Sequence, residues 1–384
     1  MRRRAHHPRL HRGALVIGLA VVVPLVLAVP QSGAEPGPGA PYHVSAVEAA
    51  ASNTQATPDR HGSDPKPDAY DVVLAVHTGA GGGLRRDTTP PEVEKAYRDG
   101  IAKALREGYA LLRRGESSVA AVEAAVRLLE DNELFNAGKG AVFNTDAGHE
   151  LDASIMRGSD LAAGAVAGVR NVRNPISAAR LVMEKTRHVM LAGEGADDFA
   201  AANGLEVVTQ DHYWTQRAWD SLMRAKKPGG ARTNDGDDPQ EHGTVGAVSV
   251  DRHRHLAAAT STGGLTNKMA GRVGDSPIAG AGTYAKDDTI AASATGVGEV
   301  FIRGAATATI SNLVEFGGMD LARASHEVVV KRLLPLGGTG GVITLNRLGV
   351  LDATHSTPGM PHGYVTADGR IVTKVFLDET PSDR

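Results

Sequence analysis

The chain has 384 residues, 41% of them hydrophobic and only 4% aromatic, which suits one large α/β core once the ends are discounted. A formal net charge of −3 offers no basic face of the kind nucleic-acid binding requires, and 46 glycines point to tight turns and close strand packing. With no cysteine, disulfides, thiolate nucleophiles and cysteine-ligated metals are excluded.

Residues 1–34 have the order of an export signal. Arg2, Arg3, Arg4, Arg9 and Arg12 precede an uncharged apolar run from Gly13 to Val29, and Ser32-Gly33-Ala34 supplies small residues for cleavage. The run nearly spans a bilayer, so a retained membrane anchor is the competing reading; Pro24 and Pro30 interrupt it and favour removal. Removal would leave a secreted or extracytoplasmic protein without stable membrane insertion. It would take away five arginines and no acid, moving the net charge from −3 to −8. From Glu35 to Asp68 the chain is rich in Pro, Gly, Ala, Ser and Asp and reads as a tether.

The apolar run Val72–Val76 predicts a buried strand ending in the glycine loop at 77–83. A helix is expected from Pro90, capped by Thr89, with Val93, Tyr97, Ile101, Leu105 and Leu112 near one face; a second, capped by Ser117 or Ser118, runs to about Leu129. Strands follow at 151–156, 163–169 and 189–192, with a helix from Asn174-Pro175 before the last. The C-terminal half predicts strands at 245–250, 256–262, 279–284 and 289–294, helices at 299–313 and 321–334, and strands at 341–346, 349–353 and near the end. Helices, strands, strands, helices is compatible with layers of helices over paired sheets.

The most telling residue is Thr244, in Glu241-His242-Gly243-Thr244-Val245-Gly246-Ala247-Val248. A glycine precedes a hydroxyl residue that opens an apolar strand, and the stretch before it, 226–241, is rich in Pro, Gly, Asp and Asn. That is the pattern of a hidden N-terminus. If the Gly243–Thr244 bond is cut, Thr244 carries a free α-amino group beside its own hydroxyl, so nucleophile and general base come from one residue. Such an amine has a pKa of about 7.7–8.0, and its neutral fraction can take the hydroxyl proton during attack on an amide carbonyl.

This stretch, with the blocks around TSTGGLTNKMAGRVGDSP at 260–277 and SATGVGEVFIRG at 293–304, resembles the plant-type asparaginase / isoaspartyl dipeptidase family of threonine-type N-terminal-nucleophile hydrolases. VHTGAG at 76–81, LFNAGKGAVFNTD at 134–146, ELDASIM at 150–156 and NPISAARLVME at 174–184 extend the likeness over roughly 70 to 350 in the right order. The resemblance implies a four-layer αββα sandwich, self-cleavage into an α half (69–243) and a β half (244–384), and an (αβ)2 assembly. It also implies hydrolysis of L-asparagine and of isoaspartyl dipeptides.

Carried over residue by residue, it gives Thr295 and Gly296 as donors to the developing oxyanion, Arg272 and Asp275 as partners of a substrate's α-carboxylate and α-ammonium, Thr262 as holder of the nucleophile and Asn136 as its orienter. The bland readings are a helix cap, a surface ion pair, a strand end and a turn asparagine. The loop 129–139 resembles the one that binds sodium through backbone carbonyls, here those of Leu129, Glu130, Asn132, Phe135, Ala137 and Lys139; no other cofactor is expected. Thr78 departs from the usual His-Gly-Gly-Ala-Gly block, and Ser356 from the usual asparagine; these departures bear on the rim of the site and its leaving-group preference, with Thr78 and 283–288 as candidate determinants, rather than on the mechanism. Two other functions stay open: a glycosylasparaginase-like amidase and a non-catalytic exported binding protein on the same scaffold.

Overall fold

The computed structural model describes residues 65–81, 84–227 and 243–379. The export segment, residues 35–64 of the tether and the polar stretch 228–242 lie outside the described residues. Among the described residues, no helix is long and apolar enough to cross a membrane.

In chain order the elements are β1 (Val72–His77), α1 (Pro91–Arg113), α2 (Ser118–Glu130), β2 (Leu151–Arg157), β3 (Ala163–Val169), α3 (Pro175–Lys185), β4 (Met190–Ala192), α4 (Gly193–Ala202) and α5 (Gln216–Ala225). After residue 243 come β5 (Val245–Val250), β6 (Leu256–Thr262), β7 (Thr283–Ala285), β8 (Ala291–Gly296), α6 (Gly298–Arg303), α7 (Ala306–Glu315) and α8 (Leu321–His326). The chain ends in β9 (Gly340–Leu345), β10 (Leu351–His355), β11 (His362–Thr366) and β12 (Ile371–Lys374). An eight-stranded sheet has the order β12-β11-β1-β5-β6-β2-β3-β4, and a four-stranded sheet the order β10-β9-β8-β7.

Three apolar cores separate four layers. Leu105, Val126 and Ile176 of the first helices pack with Ile155 and Val245 on one face of the large sheet. Met156, Val248 and Tyr364 pack with Ile343 between the sheets, and Val342 packs with Phe301, Ile310 and Val329 under the last helices. Strand periodicity explains the division: in β5, Val245 and Ala247 enter the first core while Val248 and Val250 enter the second. Both faces of the central strands are buried, so these strands read as continuous small apolar runs rather than alternating ones.

The inter-sheet layer also holds a polar seam. The His77 imidazole meets Ser293 Oγ at 2.9 Å, Ser293 Oγ meets Thr260 Oγ1 at 2.7 Å, Thr283 Oγ1 donates to Thr260 Oγ1 at 2.5 Å, and Ser154 Oγ donates to Thr283 Oγ1 at 2.7 Å. Gly246 lies in register with His77 on one side and Thr260 on the other. A Cβ there would fall 1.9 Å from Ser293 Oγ and 2.5 Å from His77 Nε2, so the sheets approach this closely only over a residue without a side chain.

Several boundaries differ from the sequence reading. Thr89 does not cap α1: its hydroxyl accepts from the Arg85 amide at 3.0 Å, and Pro90 is the cap, without a side-chain bond. Ser117 is the cap of α2. The strand expected at 279–284 shrinks to β7, because Gly280 at φ 91° turns the chain and its amide bonds to Thr283 O at 2.8 Å. The helix expected at 299–313 divides into α6 and α7 at Ala305, which has φ 43°. The helix expected at 321–334 relaxes into a π-turn at Glu327–Leu333 before Pro335. Helices α4 and α5 were not anticipated.

Replacing Gly246 by alanine is expected to open the seam and to destabilise the protein by about 1–3 kcal/mol, the cost of overpacking a tight core. Urea unfolding of purified Gly246→Ala against the wild type measures it; an unchanged midpoint would mean that the sheets have slack at this point.

Candidate active site

The ends of four neighbouring strands meet at one end of the large sheet. Antiparallel pairing places His77 of β1 opposite Gly246 of β5, Val245 opposite Ser261 of β6, and Thr262 opposite Asp152 of β2. Thr244 heads β5 at this end. Its hydroxyl donates to Thr262 Oγ1 at 3.0 Å, and Thr262 Oγ1 also accepts from the Gly264 amide at 2.9 Å. Two hydrogen bonds into one oxygen fix the Thr262 rotamer, and with it the place of the Thr244 hydroxyl.

Asn136 stands behind this pair and is fully engaged. Its Oδ1 accepts from the Val142 amide at 2.9 Å, its Nδ2 donates to Gly264 O at 2.7 Å, and its carbonyl accepts from the Gly263 amide at 3.0 Å. Asn136 therefore pins the turn Gly263-Gly264 on which Thr262 depends. Gly243 packs on it so closely that a Cβ would stand 3.0 Å from Asn136 Cβ. The structure thus places Gly243, Thr244, Thr262 and Asn136 side by side.

Thr295 and Gly296 close β8 in the other sheet, opposite Gly341 and Gly340. The Ala80 amide, in the loop after β1, donates to Thr295 Oγ1 at 3.3 Å, which ties the two sheets at the site. Gly296 has φ 145°, and a Cβ there would strike Thr339 O at 2.4 Å, so this close packing of β8 on its neighbour requires glycine.

Arg272 and Asp275 do not form the surface ion pair that their spacing suggests. Arg272 gives its Nε and one terminal nitrogen to both oxygens of Glu299 at 2.9 and 3.0 Å, and its side chain is only 15% exposed against 53% for Glu299. This bidentate fork leaves the other edge of the guanidinium toward the glycines: a Cβ on Gly274 or Gly264 would stand 2.7 or 3.4 Å from Nη1. Asp275 is buried, one carboxylate oxygen lacks a hydrogen-bond partner, and burial pushes its pKa up to about 7. Gly298 joins the two residues to the Thr295-Gly296 strand end, since a Cβ there would meet Arg272 Nη2 at 2.8 Å and Asp275 Oδ1 at 2.9 Å.

Four neighbours were missed from sequence. His77 is wholly buried and held far on the acid side, to about 3, first by burial and then by His362. Lys268 is buried, its ammonium donates to Glu150 O at 2.7 Å, and burial lowers its pKa against the pull of Asp152 and Glu150. The Glu150 carboxylate accepts from the Gly271 amide at 3.1 and 3.0 Å, which anchors the loop carrying Arg272. Glu299 could have been suspected only as an acid near an arginine, a pairing with no spacing rule across 27 residues.

Thr78, Thr283 and Asp287, among the candidate rim determinants, each have structural partners. Thr78 is buried and donates its hydroxyl to Pro361 O at 3.3 Å. Thr283 belongs to the inter-sheet seam, while Asp287 accepts from the Leu256 amide at 2.8 Å and pairs with His255, at the opposite end of β6 from Thr262.

The carbonyl loop after α2 is a compact donor set. Gly138, at φ 49°, leaves room where a Cβ would strike Glu130 O at 2.4 Å, and Gly140 where one would strike Phe135 O at 2.1 Å. Carbonyls crowded against glycines suit a hard cation that takes oxygen ligands. Among the described residues no cluster of three or more His, Cys, Asp or Glu could hold a metal.

Comparison with known proteins agrees with this geometry. The asparaginase family profile matches residues 70–375. An isoaspartyl peptidase of Escherichia coli (strain K12) is 45% identical over 312 residues, spanning 80% of this chain and 97% of its own. An isoaspartyl peptidase/L-asparaginase of Rattus norvegicus is 41% identical over 312 residues, spanning 80% of this chain and 90% of its own. With the four-layer sandwich and the blocks around residue 244 in place, the chain belongs to the asparaginase family.

Proposed function

We propose that this chain is a self-cleaving amidohydrolase that converts L-asparagine to L-aspartate and ammonia and cleaves isoaspartyl (β-aspartyl) dipeptides, with Thr244 as its N-terminal nucleophile. The observation that carries the reading is the Thr244 hydroxyl, held by Thr262 at 3.0 Å at the head of a central strand directly after Gly243. The same hydroxyl serves twice. It first attacks the Gly243 carbonyl; the resulting ester hydrolyses, the β chain then begins at Thr244, and the α chain ends at Gly243. It then attacks a substrate amide carbonyl while the freed α-amine takes the hydroxyl proton, directly or through water, and passes it to the departing amine or ammonia. Water hydrolyses the acyl ester and restores Thr244.

The other residues divide the remaining work. The Thr295 hydroxyl and Gly296 amide stabilise the oxyanion from the end of β8. Arg272 takes the α-carboxylate on the edge that Glu299 leaves, and Asp275 takes the α-ammonium. A sodium ion in the carbonyl loop, held by Leu129, Glu130, Asn132, Phe135, Ala137 and Lys139, would supply positive charge that keeps the turn bearing Asn136 compact. We further read residues 1–34 as a signal removed on export, and the active form as (αβ)2.

Denaturing gels of purified protein should show two fragments, the smaller beginning Thr-Val-Gly-Ala by N-terminal sequencing; full activity from an uncut chain would refute the reading. Arg272→Ala should still self-cleave but lose about 1.5–3 kcal/mol of transition-state stabilisation on L-asparagine, read as kcat/KM, because the partly buried charge-assisted contact goes while Glu299 stays hydrated.

The pH profile has a stated sign. Asp275 must be ionised to accept an ammonium, and its pKa is pushed up to about 7 in the free enzyme, so kcat/KM should fall as pH drops below 7. In the bound state the substrate's ammonium keeps Asp275 ionised, so kcat should fall less steeply than kcat/KM over the same range. Parallel profiles for the two constants would remove Asp275 from substrate binding.

β-Asp-Leu should be cleaved and α-Asp-Leu rejected, because an α-linkage consumes the carboxylate that Arg272 grips and moves the scissile carbonyl away from Thr244. Comparable turnover of the two isomers would overturn the clamp. Faster release from N-acetylglucosaminyl-asparagine than from β-Asp-Leu would instead favour a glycosylasparaginase.

A further inference from the structure

Helix α5 is the last described element before residue 243, and none of the roles assigned so far uses it. It is ten residues long, and only Ala218, Ser221 and Leu222 are buried, so it adds little to the core. A helix of this length is marginal by itself, and its docking must come from what it touches. What it touches are the two loops that shape the active site. Arg217 donates from Nη2 to Glu133 O at 2.8 Å and to Gly140 O at 3.5 Å, on either side of Asn136 in sequence. Neither carbonyl is among those named for sodium, so the guanidinium holds the loop through a separate pair of oxygens. Two residues on, Trp219 stands edge-on to Phe143 at 5.4 Å, and at the far end Lys226 donates to Thr145 O at 2.7 Å. Backbone bonds carry the contact onward, from Asn267 N to Phe143 O at 2.8 Å and from Thr145 N to Lys268 O at 2.7 Å, into the loop that leads to Arg272.

We propose that α5 braces the nucleophile's surroundings and that Arg217 is a positioning residue: it clamps the turn 133–140 so that Asn136 holds Gly263 and Gly264, and these hold Thr262 in line with Thr244. The inference rests on Thr244 as the nucleophile. The physical basis is a charge-assisted donor set on a turn whose carbonyls are crowded together, where a neutral donor would hold less firmly. Because Asn136 gives its Nδ2 to Gly264 O and its carbonyl accepts from the Gly263 amide, while its Oδ1 is held by the Val142 amide of its own loop, a shift of its turn is transmitted to the Thr244–Thr262 contact. The loop that leads to Arg272 is reached instead through Lys226 and Trp219, so the Arg217 contact governs attack rather than substrate grip.

Arg217→Met tests this, since it keeps the unbranched stem and a good helix former while removing every donor. Amide hydrogen exchange should quicken across 132–142 with no change in 340–345, a readout independent of any activity and therefore of the nucleophile assignment. Self-cleavage and kcat on β-Asp-Leu should each fall about tenfold, as small displacements of a reacting group do, with KM within twofold of the wild type. Arg217→Lys, which restores one charged donor, should recover part of both rates. Unchanged exchange in 132–142, exchange raised equally in 340–345, or a rise in KM with kcat intact would each overturn the brace.

Discussion

The close approach of the two sheets at Gly246 is the constraint on which the rest depends. His77, Ser154 and Thr260 from the large sheet meet Thr283 and Ser293 from the small one through short hydrogen bonds, and no side chain stands between them at residue 246. A buried seam of hydroxyls tolerates no mismatch, because each unpaired group would cost its desolvation. The seam fixes the lateral position of β5 against both neighbours and against the opposite sheet. Thr244 inherits that precision, being two residues along the same strand.

Around this fixed point, the site is assembled from loops that could not hold themselves. Thr262 and Asn136 belong to different halves of the chain and are joined through Gly263 and Gly264. Thr295 is drawn to the first strand's loop by the Ala80 amide. Arg272 is held on one edge of its guanidinium by both oxygens of Glu299, while the other edge faces Gly264 and Gly274. The half-exposed Glu299 keeps its charge, lowered in pKa first by the Arg272 hydrogen bond, whereas the buried Asp275 is raised toward neutrality. One acid is therefore paired with the arginine, while the other is buried with one oxygen unpartnered.

Much of this was legible in the residues, for identifiable reasons. Strands β3, β5 and β6 were bounded correctly because continuous small apolar runs between turn residues have few other uses. Helices α1 and α2 stood out by their apolar stripe and by Pro or Ser at the start. Errors gathered where backbone conformation broke a pattern that composition alone would continue, at Gly280, at Ala305 and before Pro335. The missed α5 carries its apolar stripe, Ala218, Trp219, Leu222 and Met223, over barely two turns, and the residue it packs on, Phe143, is remote in sequence.

The sequence by itself determined the candidate chemistry: which residue carries a hydroxyl behind a glycine, and which arginine and aspartate lie in one glycine-bearing loop. Those are local properties, written in neighbouring residues and in ordered blocks. Only the tertiary structure decided who stands next to whom. Glu299 beside Arg272, His77 beside Gly246, Thr78 turned toward Pro361 and Arg217 over the turn of Asn136 are contacts across 27 to 283 residues. Such pairings follow from sheet register and layer packing, which sum many weak preferences over the whole chain, and no spacing within a short segment encodes them.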